Sequence, residues 1–235
     1  ESMRETDFKI GGRTIDRLAA TKLVASDFIN RRTGDRIGLI LFADQAYLQV
    51  PLTFDRDTVE ELLDEAVLGL VGKATAIGDA IGLAVKRYRD IENAEKVLIL
   101  MTDGANTAGV IEPVRAAELA AKAGLKIYTI GIGADEMMTR SLFGNRRVNP
   151  SADLDEEMLT SIADATGGRY FRARDTQELE NIYLNLDKLE PVIQDPQFYR
   201  PRTSLYPWPL FSALLLGIYL LFGSSRGTLE QAAQR

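Results

Sequence analysis

Two stretches, VLILM at residues 97–101 and KIYTIGI at residues 126–132, are so densely apolar that a strand formed by either must be buried on both faces. Between them the segment Pro113 to Ala123 reads as a helix stopped by Gly124. Before them, Ile77, Ala80, Ile81, Ala84, Val85 and Tyr88 share one helical face. Strands of this kind, separated by helices, require a mostly parallel sheet covered on two sides. The rest of the chain continues the alternation. Ile15, Leu18, Ala19, Ala25 and Ile29 mark a helix beginning near Thr14, followed by a strand from Arg36 to Ala43. Only Asp44 and Gln45 separate that strand from another, Ala46 to Val50, which is hairpin spacing and predicts one antiparallel edge strand. An acidic helix from Arg56 to about Leu68, a helix from Asp155 to Ala165, a short strand from Arg169 to Ala173 and a helix from Thr176 to Leu189 complete an α/β, doubly wound, mostly parallel sheet.

In open parallel sheets, ligands bind at the carboxyl ends of strands. Asp103, in MTDG, stands at such an end, although Thr-Asp-Gly is also ordinary turn chemistry. Thr75, in GKATAIGDAIG at residues 72–82, brings a hydroxyl to a helix start, where an N-cap is the simpler role. Ser2, in ESMR, precedes a loop and supplies a third oxygen. The chain has no histidine and no cysteine, which removes imidazole bases, Ser-His-Asp triads, thiolate sites and ordinary zinc sites. Any metal must therefore be held by oxygen, which suits Mg²⁺, Mn²⁺ or Ca²⁺. Asp79 could support such a site indirectly, or serve as a first-turn acid favoured by the helix dipole. A net charge of -6 gives no basic footprint for nucleic acid. GIGADE at residues 131–136 lacks the third glycine of a dinucleotide fingerprint and reads as a strand-end turn, and no P-loop motif occurs.

TAIGDAIG, LILMTDG, IYTIGIG and ATGGRYFRA follow one another in an order and spacing that resembles the von Willebrand factor type A domain. The resemblance implies a metal ion-dependent adhesion site made from Asp-x-Ser-x-Ser, a distant Thr and a later Asp. Ser2 matches the last serine of that motif, Thr75 the threonine and Asp103 the later aspartate; the first Asp and Ser, and the strand that delivers them, would lie upstream of Glu1. Ser2-Met3, Leu154 to Ala173, and Tyr206 to Leu210 are similar to the membrane-anchored subgroup of bacterial aerotolerance (Bat) proteins. That likeness implies a bacterial inner-membrane protein with its domain outside the cytoplasm. It also implies partners among other membrane-anchored domains of this type and a MoxR-type AAA ATPase system. The implied activity is non-enzymatic: a divalent cation, Mg²⁺ first, binds a carboxylate of a partner protein. The rival readings are a structural membrane anchor with an empty site and a metal-assisted hydrolase.

The domain is expected over residues 1–189, with its first strand upstream of Glu1, and the C-terminal part of the chain extends beyond it. Glu1 is not an initiator methionine, and the chain reads as a piece of something longer. Residues 190–202 contain three prolines and read as a stiff linker. Residues 203–225 carry no charge and, as a helix, would cover about 34 Å, enough to cross a hydrocarbon core of about 30 Å. Tyr206 and Trp208 are placed as interfacial anchors, and residues 226–235 form a polar tail. The basic run RSLFGNRRVNP at residues 140–150 reads as a solvated loop or a partner-contact loop.

Overall fold

The computed structural model describes residues 2–67, 72–89, 91, 94–135, 137–141, 144–191 and 209–215. A 3₁₀ turn, Ser2–Arg4, leads to strands β1 (Phe8–Ile10) and β2 (Arg13–Ile15) and helix α1 (Arg17–Arg31). Strands β3 (Ile37–Phe42) and β4 (Ala46–Thr53) precede helices α2 (Arg56–Asp64) and α3 (Ile77–Tyr88). Then come β5 (Lys96–Thr102), α4 (Pro113–Lys122), β6 (Leu125–Ile132), β7 (Met137–Ser141) and β8 (Gly144–Val148). Helix α5 (Glu156–Thr166), β9 (Tyr170–Ala173) and α6 (Thr176–Leu189) complete the order.

The anticipated layers are present. β5, β6 and β9 form a parallel sheet in the order β5-β6-β9, and β3 pairs antiparallel with β4. Alternate residues of each strand serve opposite cores. Val97, Ile99 and Met101 of β5 join Tyr128, Ile130 and Ile132 of β6 against α1, α2 and α6. Leu98 and Leu100 join Leu125 and Ile127 against α3, α4 and α5. β6, paired on both sides, is almost wholly buried, whereas β5 is mostly half-buried because its other edge has no ladder partner among the described residues. β3 has the same single-sided pairing, so the hairpin and the three-stranded sheet remain separate ladders although both feed both cores.

Three expectations change. The first helix starts at Arg17 rather than near Thr14, because residues 13–15 belong to β2. Gly11 and Gly12, at φ 56° and 83°, make the two-residue turn that joins β1 to β2. Asp16 then caps α1 by accepting from the Ala19 amide. Helix α2 stops at Asp64, with Glu65 as its C-cap, and does not continue towards Leu68, a residue outside the described set. The basic stretch at residues 140–150, expected as a loop, contains the end of β7 and the whole of β8, its antiparallel partner.

Residues 1–194 form one compact unit and residues 195–235 a second. In the second, residues 209–215 are helical, with Leu210, Phe211, Leu214 and Leu215 exposed. Among the described residues no helix is long and apolar enough to cross a membrane. Most of the expected linker and span, and all of the tail, lie outside the described residues.

Candidate metal centre and its buried ion-pair network

The carboxyl end of β5 is built so that a turn forms without using the Asp103 carboxylate. The Thr102 hydroxyl closes the turn instead, donating to the Gly104 carbonyl at 3.1 Å and accepting from the Gly104 amide at 3.3 Å. Asp103 is buried, at 7% exposure, and its two oxygens have different partners. Ser2 Oγ donates to Oδ1 at 2.8 Å, and Arg17 Nη1 donates to Oδ2 at 3.2 Å. Two of the three residues expected from the sequence therefore meet directly, and Asp103 is not the turn former.

Thr75 lies in a loop stitched to the segment that follows Asp103. Its amide donates to Thr107 Oγ1 at 3.0 Å, and its carbonyl accepts from the Thr107 and Ala108 amides at 2.9 and 3.2 Å. Just upstream, Asp44 Oδ1 accepts from the Lys73 and Ala74 amides at 2.9 and 2.7 Å. The simple N-cap role for Thr75 does not hold. Ala76 occupies the cap position of α3, and the cap is delivered from a distance by Asn106 Oδ1, which accepts from the Ile77 amide at 2.8 Å. Asp79 Oδ1 accepts from the Val110 and Ile111 amides, each at 2.9 Å, so its carboxylate braces the loop between β5 and α4.

Arg17 is the residue that the sequence reading missed. It occupies the first position of α1 with no exposure at all. A cation there opposes the helix dipole, and that misplaced charge is the one signal in the sequence that carboxylates must pin it. They do: Nε donates to both Asp7 oxygens at 3.0 Å and Nη2 to Asp7 Oδ2 at 2.6 Å, in addition to the Asp103 bond. Nη2 also reaches the Pro150 carbonyl at 3.3 Å and Ser151 Oγ at 3.5 Å. Burial works against the charged guanidinium, but the hydrogen bonds and charges of Asp7 and Asp103 outweigh it and hold the pKa above its ordinary value. Asp7 Oδ2 accepts from the Ala134 amide at 2.9 Å, and Ser151 Oγ donates to the Ala134 carbonyl at 3.0 Å. The end of β6, the end of β5 and the start of α1 thus close on one guanidinium.

The donors on offer fit a hard divalent ion and not a soft one. Ser2 Oγ and Asp103 Oδ1 are in direct contact, and Thr75 lies on a loop whose backbone is bonded to residues 107 and 108. No group of three or more acidic, histidine or cysteine side chains gathers to hold a metal among the described residues. A cation held mainly by neutral oxygens keeps most of its charge, and can draw in an anion from outside.

Comparison with known proteins agrees with this fold. A crystal structure of BatB from Bacteroides thetaiotaomicron is 27% identical, with a TM-score of 0.65, over 80% of this chain and 93% of that one. The structure of an aerotolerance-related membrane protein from Bacteroides fragilis is 26% identical, with a TM-score of 0.63, over 78% and 92%. A UPF0353 protein of Mycolicibacterium gilvum is 28% identical over 80% of this chain and 57% of its own length. The chain spans about three fifths of the length of the curated relatives that it matches. Residues 1–185 match the von Willebrand factor type A domain, an adhesion and interaction module and not a catalytic family. The chain belongs to the von Willebrand factor type A domain family.

Proposed function

We propose that this domain binds a divalent cation, Mg²⁺ in the first instance with Mn²⁺ or Ca²⁺ as substitutes, through Ser2, Thr75 and Asp103. The cation then captures a carboxylate of a partner protein. The observation that carries this reading is the 2.8 Å bond from Ser2 Oγ to Asp103 Oδ1 at the end of β5, with a turn made by Thr102 and not by Asp103. The edges of β3 and β5 that have no ladder partner among the described residues support a further strand, upstream of Ser2, that would bring an Asp-x-Ser segment to the same place. Asp79 acts on the site only through the loop that it braces. Likeness to an aerotolerance-related membrane protein supports membrane attachment; a bacterial inner membrane, with the domain on its outer side, is the placement proposed. A MoxR-type ATPase system and other membrane-anchored domains of this family are the partners proposed.

By itself this chain is expected to bind metal only weakly, so the test is thermal unfolding of the chain extended upstream by an Asp-x-Ser segment, with and without millimolar Mg²⁺ or Mn²⁺. Metal that binds only the folded state raises the midpoint as its concentration passes the dissociation constant. Asp103→Ala is expected to remove that rise, and a rise retained in full by Asp103→Ala would exclude this site. No rise in the parent chain would favour a structural anchor with an empty site.

A further inference from the structure

We propose that Arg17 is a built-in counter-cation of the Asp103 site, which holds the carboxylate when no metal is bound and withdraws towards Asp7 when one arrives. This rests on the metal-binding reading above. The guanidinium has two carboxylate partners and treats them unequally: three contacts of 2.6 to 3.0 Å with Asp7, but one of 3.2 Å with Asp103. The weaker bond is the one to the candidate metal ligand, and it takes the oxygen that Ser2 does not touch.

Both carboxylates and the guanidinium are nearly closed to solvent, with side-chain exposures of 0% for Arg17, 1% for Asp7 and 8% for Asp103. In such surroundings charges are screened poorly, so a divalent ion placed at Asp103 repels a guanidinium bonded to the same group. The second partner gives the guanidinium somewhere to go. Asp7 is held by the Ala134 amide, and Ser151 Oγ and the Pro150 carbonyl flank Nη2. The backbone makes room for this cradle at Gly133, which has φ +130°. A Cβ there would lie 2.3 Å from Ser151 Oγ and 2.7 Å from Arg17 Cζ.

Arg17 is thus a positioning residue with two effects. It sets which oxygen of Asp103 is available to a cation, and it weakens metal affinity by competing for the other. Metal occupancy is tied through it to residues 133–134 and 150–151, the two ends of the segment that contains β7 and β8.

The experiment is Mn²⁺ titration of the chain extended upstream by the Asp-x-Ser segment, followed by electron paramagnetic resonance of the free ion, for the parent, Asp7→Asn, and the double variant Asp7→Asn with Arg17→Met. Circular dichroism confirms that each is folded. Asp7→Asn leaves Arg17 with Asp103 alone, and should weaken Mn²⁺ binding about tenfold. The double variant removes one charge of each sign and frees Asp103, and should tighten binding about tenfold relative to the parent. A merely structural network predicts weakening in both, because both disturb the same packing. Weakening in both, or no change in either, with the fold retained, overturns the counter-cation role. If the parent chain and both variants bind no Mn²⁺, the metal-binding reading itself is overturned, and this inference with it.

Discussion

Gly133 shows how far a single backbone conformation reaches into the site. It has φ +130°, a region that side chains avoid, and an added methyl would run into Ser151 Oγ and the Arg17 guanidinium. Gly133→Ala should therefore destabilise the fold by about 2–4 kcal/mol, read as a lower urea midpoint. At the opposite end of β6, Glu190 Oε1 accepts from Lys126 Nζ at 2.5 Å and from Tyr128 Oη at 2.6 Å. Burial opposes ionisation of Glu190, but those hydrogen bonds and the nearby cations outweigh it and hold its pKa below the usual carboxylate value. A carboxyl depressed in the folded state adds stability above its unfolded pKa, near 4.3, and that stability is lost as pH falls through the folded value. Glu190→Gln should cost about 1–2 kcal/mol at pH 7 and flatten the acid side of a stability profile recorded between about pH 5 and 3.

Among the elements, α3 separates two roles that sit side by side in the sequence. Its first free amide is capped by Asn106 across the sheet end, not by the neighbouring Thr75. Asn106→Ala should therefore lower stability by about 1 kcal/mol, whereas Thr75→Ala should change it by less than about 0.5 kcal/mol, both read from urea unfolding without metal. With Mg²⁺ present the order should reverse, since Thr75→Ala removes a proposed ligand and Asn106→Ala does not. Helix α3 itself was legible, because Ile77, Ala80, Ile81 and Ala84 repeat with helical period and all four are buried. The β1–β2 hairpin was legible too, in FKIGGRTI, where two glycines separate short β-prone runs. It was overlooked because Ile15 also fits the helical face that begins two residues later.

The whole chain divides at residue 194 into two compact units. The first unit buries its apolar side chains in two cores, on either side of β5 and β6. In the second, residues 209–215 leave Leu210, Phe211, Leu214 and Leu215 facing outward. If the uncharged run 203–225 spans a bilayer as a helix, the full chain should sediment with membranes and resist carbonate extraction. A chain ending after Pro191 should stay in the soluble fraction with its unfolding midpoint unchanged. Recovery of the full chain without detergent would count against membrane attachment.

The order of β3 to β6, β9 and the helices between them, and the faces that they bury, were set by the sequence itself. Periodicity acts over a few residues, and a strand apolar on both sides such as 97–101 has no stable place except between two helix layers. Ser2, Thr75 and Asp103, the ligands proposed, were selected from the order of motifs that the family resemblance supplies. What only the tertiary structure decided was pairing across distance. That Asn106 caps α3, that Thr102 rather than Asp103 makes the turn, and that Arg17 divides itself between Asp7 and Asp103 all depend on side-chain directions after folding. Those partners are 10 and 86 residues from Arg17 along the chain, and no local rule relates them. Packing brings them together at the ends of β5 and β6, where a buried charge must find its opposite.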